Sequence, residues 1–98
     1  MKGMIWNSDG FGDSAKHLAV QESIKEHCLS FVAVIETGRS NFSVPFLKHL
    51  AGGFEFTWYC LPPRGRSGGI LVGFNSNDVV VQSVVTGDFC VKLQLKNK

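Results

Sequence analysis

Two polar residues, each closing an apolar run, are the part of this sequence best placed to do chemistry. Asn7 follows Met4-Ile5-Trp6, and Glu36 follows Phe31-Val32-Ala33-Val34-Ile35. Both runs are too short for helices and suit strands. If the strands lie side by side and parallel, Asn7 and Glu36 leave the sheet at one edge, and ligand sites in open α/β sheets gather outside the carboxyl ends of strands. A carboxylate beside an amide oxygen is a ligand set for a hard divalent ion such as Mg²⁺, which keeps several waters and needs only one or two protein carboxylates. The same two residues also serve as a solvated strand end and an ordinary turn, and spacing alone does not choose. A second candidate is Arg64-Gly65-Arg66-Ser67-Gly68-Gly69. Its backbone N–H groups with Arg64 and Arg66 could cradle a phosphate. It reads equally as a flexible connection in which glycine supplies unusual φ and arginine is solvated. It is not a Walker loop, because no Lys-Ser/Thr follows and no helix begins there.

The elements that must position these residues follow from the pattern. After the turn-rich stretch 8–13, Asp13 or Ser14 is a good N-cap, and residues 15–28 contain no Gly or Pro. That stretch reads as a helix with a narrow apolar stripe of Val20, Ile24 and Cys28, widened by Ala15, Leu18 and Ala19. Strand, helix and strand within this length make a right-handed βαβ unit with parallel strands, the second buried on both faces. Ser43-Val44-Pro45 opens a short second helix with Phe46, Leu47 and Leu50 inward, stopped by Gly52-Gly53. Strands are expected over residues 54–59, 70–74, 79–85 and 89–95, the last alternating Phe89, Val91, Leu93 and Leu95 with polar neighbours. The second half therefore reads as an antiparallel meander, and the fold class as α/β, a mixed sheet with two helices on one face.

Ninety-eight residues make one small domain, 44% hydrophobic and 18% charged, too apolar for a disordered chain. A net charge of +2 argues for neither nucleic acid nor an anionic membrane. No apolar run is long enough to span a bilayer, and the N-terminus has no secretory signal pattern, so an intracellular protein, nuclear or cytoplasmic, is expected. Cys28, Cys60 and Cys90 are odd in number and widely spaced, which fits reduced, mostly buried thiols better than disulfides or a metal site. His17, His27 and His49 are scattered through the expected helices and make no metal cluster.

Several strings together carry a resemblance. Ile5-Trp6-Asn7, three residues, then Phe11-Gly12-Asp13 resembles the "WN…G.GD" opening of the endonuclease/exonuclease/phosphatase (DNase I-like) superfamily. Phe31-Val32-Ala33-Val34-Ile35-Glu36-Thr37 is similar to its apolar strand ending in "QET", with Ile35 in place of Gln. Residues 67–75, Ser-Gly-Gly-Ile-Leu-Val-Gly-Phe-Asn, look like the "GGI…W" strand of the endonuclease domains of plant LINE-type (non-LTR) retrotransposons. The match runs over essentially the whole chain, in order. It implies a Mg²⁺-dependent phosphodiesterase acting on DNA, with Glu36 binding the metal and Asn7 orienting metal and phosphate. It also implies the N-terminal part of a four-layer sandwich, truncated before the "GDFN" Asp/Asn pair and the C-terminal Asp-His pair. Gly87-Asp88-Phe89-Cys90 imitates "GDFN" but has Cys90 where Asn belongs and opens a strand rather than ending one. The expectation is a retroelement-derived nuclease remnant or fragment, inactive alone. The alternative is a non-catalytic module that binds protein or nucleic acid. With one sheet and no partner sheet, such a chain is expected to self-associate through an exposed sheet face.

Overall fold

The structure, a computed structural model, describes residues 1–65, 68–87 and 90–98. Strand β1 (Gly3–Asn7), helix α1 (Ser14–His27) and strand β2 (Phe31–Ile35) form the expected βαβ unit. The two strands are parallel, with Gly3 opposite Phe31 and Asn7 opposite Ile35. Helix α1 begins where the Asp13 side chain accepts the Ala15 N–H at 2.8 Å, satisfying a donor the first turn leaves open. It ends at Cys28, whose left-handed backbone (φ 49°) sends its N–H back to the Ile24 carbonyl. Val20 and Ile24 are buried, while Ala15, Leu18, Ala19 and Cys28 face solvent. The apolar stripe therefore stays narrow, because the chain leaves the helical path at Cys28.

Helix α2 (Val44–Leu50) is capped by Ser43, whose hydroxyl accepts the Phe46 N–H, with Pro45 in the first turn. Four more strands follow: β3 (Phe56–Leu61), β4 (Ile70–Asn75), β5 (Val79–Thr86) and β6 (Val91–Asn97). They do not make the expected meander. β4 is inserted between β2 and β3, giving a mixed sheet in the order β1-β2-β4-β3 and a separate β5-β6 pair. With both edges of β4 bonded, β5 cannot pair beside the strand it follows. The chain turns at residues 75–78, where the Asp78 N–H meets the Asn75 carbonyl at 3.1 Å, and starts a second sheet. β3 runs two residues later than the pattern indicated. Gly52 and Gly53, both at positive φ, prolong the turn after α2, and pairing with β4 places Phe56 opposite Asn75 and Leu61 opposite Ile70.

The core lies between the four-stranded sheet and the helices. Val32, Val34 and Leu71 meet Phe11, Val20, Ile24 and Leu50, with Trp6, Phe46 and Trp58 packed around them. Both helices thus cover one face of the sheet. In register, Gly73 lies between Val32 and Trp58. A Cβ on Gly73 would come 2.4 Å from the Trp58 ring, so glycine lets the indole lie flat across β4.

The opposite face is less covered. Val72 and Phe74 are buried there, Tyr59 stacks on Phe74 at 5.8 Å, Phe31, Ala33 and Ile35 are half-buried, and Ile5 is 73% exposed. β2 is therefore closed on its helix side only, not on both faces as expected. In the hairpin, a bulge between Val81 and Ser83 returns Val84 to the side of Val81, opposite Leu93. Val81, Val84, Val91, Leu93 and Leu95 form a half-buried apolar stripe, and Lys92, Gln94 and Lys96 are exposed. Phe89, expected to open β6, lies outside the described residues. The three cysteines are exposed, contrary to expectation: Cys28 caps α1, Cys60 lies on the edge strand β3, and Cys90 precedes β6. Among the described residues no helix is long and apolar enough to cross a membrane.

Candidate metal and phosphate site at the strand ends

Parallel β1 and β2 with antiparallel β4 bring two strand ends and one strand start to the same edge. The segments beyond them, residues 8–11, 36–38 and 68–69, continue the ladder. Ser8, Gly10 and Phe11 donate their N–H groups to the carbonyls of Ile35, Glu36 and Thr37 at 3.0, 2.7 and 2.8 Å. On the other side, Thr37 donates to the Gly69 carbonyl at 3.2 Å and Gly38 to that of Gly68. The buried Ser8 hydroxyl also donates to the Ile35 carbonyl at 3.0 Å. From α1, the Lys16 ammonium donates to the carbonyls of Ser8 (2.7 Å) and Gly10 (2.9 Å).

Glu36 sits in the middle of this arrangement: its carbonyl accepts the Gly10 N–H, and the next two residues, Thr37 and Gly38, bond the carbonyls of Gly69 and Gly68. Its φ is 55°, a left-handed conformation that costs an ordinary residue about 1–2 kcal/mol. Such residues persist where the surroundings hold them, and they cluster at ligand sites. The side chain is exposed, and its carboxylate has no hydrogen-bond or ion-pair partner among the described residues. A Cβ on Gly68 would lie 2.9 Å from the Glu36 Cα and 3.1 Å from its Cβ, so this close approach requires glycine.

Asn7 lies across from Ile35, one residue before Glu36, so the two leave the sheet at the same edge. The Asn7 amide oxygen accepts the Asp9 N–H at 3.2 Å, which leaves it a second lone pair. Asp9 itself reads in the sequence as an ordinary turn residue. It is exposed, at φ 51°, between two residues bonded to the backbone of 35 and 36. The signal that points to it is Asp9-Gly10, a dipeptide that tolerates left-handed backbone at a strand end. Among the described residues no group of three or more His, Cys, Asp and Glu is gathered for a metal. The oxygen donors available at this edge are the carboxylates of Glu36 and Asp9 and the amide of Asn7. That set is chemically compatible with Mg²⁺, which fills its remaining positions with water.

The other candidates separate. Arg64 is exposed and engaged in an interaction of its own. Arg66 and Asp88 lie outside the described residues. Gly68 and Gly69 have a packing reason: a Cβ on Gly69 would come 2.8 Å from the Thr37 hydroxyl. His17 is structural, its Nε2 at 2.8 Å from the Phe11 carbonyl and its ring between Phe11 and Phe46. A groove of about 560 Å³ runs between α2 and β3, lined by Val44, Leu47, Phe54, Phe56 and Trp58. It touches neither Asn7 nor Glu36. No family model matches the chain, and none of the curated proteins compared with it matches.

Proposed function

We propose that the chain carries the metal-binding edge of a Mg²⁺-dependent, DNA-cleaving phosphodiesterase domain of the DNase I-like superfamily, nearest to plant LINE-type endonucleases. One observation carries the reading: an exposed carboxylate, Glu36, without a partner among the described residues, stands on a left-handed residue at the carboxyl end of a strand, in a turn bonded to both neighbouring segments. Glycine would adopt that backbone more easily, and non-glycine residues held there cluster at ligand sites, which supports the reading. The parallel β1–β2 pair and the two helices on one face are what an N-terminal half of that fold requires. Glu36 is the metal ligand in this reading, Asn7 orients metal and phosphate, and Asp9 adds a second carboxylate. Bound Mg²⁺ would supply neutralisation of the scissile phosphate.

These 98 residues contain no Asp-His pair, and their one "GDF" string continues into Cys90. The groups that activate water and protonate the leaving oxygen are therefore not supplied by this stretch. Each such group typically contributes about 10²–10⁴-fold. The purified chain is expected to leave supercoiled DNA un-nicked in Mg²⁺. Mg²⁺-dependent nicking that disappears in Glu36→Ala would show that it has its own catalytic set. The second reading is a non-catalytic module that binds protein or nucleic acid.

A further inference from the structure

We propose that Arg39 is a nucleic-acid contact, holding a phosphodiester of the DNA strand beside the Glu36 edge; the proposal rests on the reading of that edge as a nuclease site. The guanidinium carbon lies over two aromatic rings, 5.2 Å from the Phe42 centroid and 5.7 Å from that of Phe46. Those rings stack on one another at 5.6 Å. Each also meets Phe11, at 6.4 Å, edge to face. Phe11 is fully buried, and its N–H bonds the carbonyl of Thr37. Arg39 is tied to the same place through its own N–H, which donates to the Thr37 hydroxyl at 3.3 Å. The guanidinium is thus supported by the two rings, and the Arg39 backbone is anchored to the turn that follows Glu36.

What distinguishes Arg39 from its basic neighbours is what its donors do. Lys16 gives its ammonium to two loop carbonyls, and Arg64 has an interaction of its own. The Arg39 guanidinium lies over two ring faces, and among the described residues no hydrogen-bond or ion-pair acceptor for its N–H groups occurs. Cation–π contact fixes the plane of the group while leaving its in-plane donors unoccupied. A planar fork of N–H donors matches two oxygens of one phosphate, a geometry lysine does not reproduce. Holding the side chain in advance reduces the ordering cost of contact.

The test is fluorescence anisotropy of a short labelled DNA duplex with the full chain in EDTA, across a series of NaCl concentrations. Releasing one phosphate contact lowers the slope of log K against log[salt] by about 0.9 on duplex DNA. Arg39→Met, which keeps an apolar cover on Phe42 and Phe46, is expected to lose that much slope, and Arg39→Lys is expected to retain it. A wild-type slope in Arg39→Met, or no duplex binding by the wild-type chain at low salt, would overturn the proposal. A merely structural role would lower the melting temperature of Arg39→Met and leave its slope unchanged. Because EDTA removes divalent ions, the outcome is independent of metal binding. If Mg²⁺ moves the Glu36 amide while Arg39→Met keeps its slope, Arg39 is wrong and the metal reading stands; the reverse pattern fails the metal reading alone.

Discussion

Gly68→Ala puts the packing of the Glu36 turn under direct load. The added methyl would lie 2.9 Å from the Glu36 Cα, 3.1 Å from its Cβ and 3.3 Å from its Cγ. The side-chain carbons can rotate aside, but the Cα cannot, because residues 36–38 are bonded on one side to residues 10 and 11 and on the other to 68 and 69. The two backbones must part by several tenths of an ångström, stretching the bonds Thr37 and Gly38 make to the 68–69 carbonyls. Overpacking of this kind costs about 1–3 kcal/mol. In a domain of this size each kcal/mol moves the melting temperature by roughly 4–8 °C, so a fall of about 5–20 °C is expected. Thermal unfolding followed by circular dichroism measures it, with Gly12→Ala as the control. A methyl on Gly12 would meet nothing within 4 Å, and Gly12 is not at positive φ, so its change should stay within about 0.5 kcal/mol. If both variants melt together, the three segments are not packed as described and Glu36 is not held.

Gly73→Ala would place a methyl 2.4 Å from two atoms of the Trp58 ring. It should turn the indole out, destabilise the chain by about 1–3 kcal/mol and change its tryptophan fluorescence; unaltered emission and stability would refute the flat-ring packing. The sheet face bearing Ile5, Phe31, Ala33 and Ile35 and the half-buried hairpin stripe leave apolar surface uncovered. Covering several hundred Å² at about 25 cal/mol per Å² favours association by several kcal/mol before its costs. Sedimentation velocity at rising concentration should therefore show a dimer or larger species, and a monomer throughout that binds no hydrophobic dye would count against this.

Much of the fold was legible because its signals are local. Five consecutive apolar residues at 31–35 cannot be a helix, Asp13 and Ser43 are efficient caps, and the period-2 alternation of 91–96 declares a half-covered strand. Those features place Asn7 and Glu36 at adjacent strand ends. Strand order is not local: nothing in residues 70–75 announces that they pair with β2 as well as β3, and that insertion is what keeps β5 from pairing beside β4. Gly68 was ambiguous for a related reason. A glycine needed for close approach and one needed for flexibility look alike until the opposing backbone is known. Arg39 and Asp9 do not stand out in the sequence, because an exposed charge in a turn is ordinary until its neighbours are seen. Cys28 completes an i, i+4 apolar series with Val20 and Ile24, yet the helix has already ended there and its side chain faces solvent.

Whether Glu36 is a metal ligand is tested most directly by Mg²⁺ titration followed by backbone amide NMR. A site with one or two carboxylates and little supporting hydrogen bonding should bind weakly. Saturable shifts confined to the amides of Asn7, Asp9, Glu36 and Thr37 are expected, lost in Glu36→Gln while the rest of the spectrum is preserved. Tight binding, or shifts that persist unchanged in Glu36→Gln, would contradict the assignment.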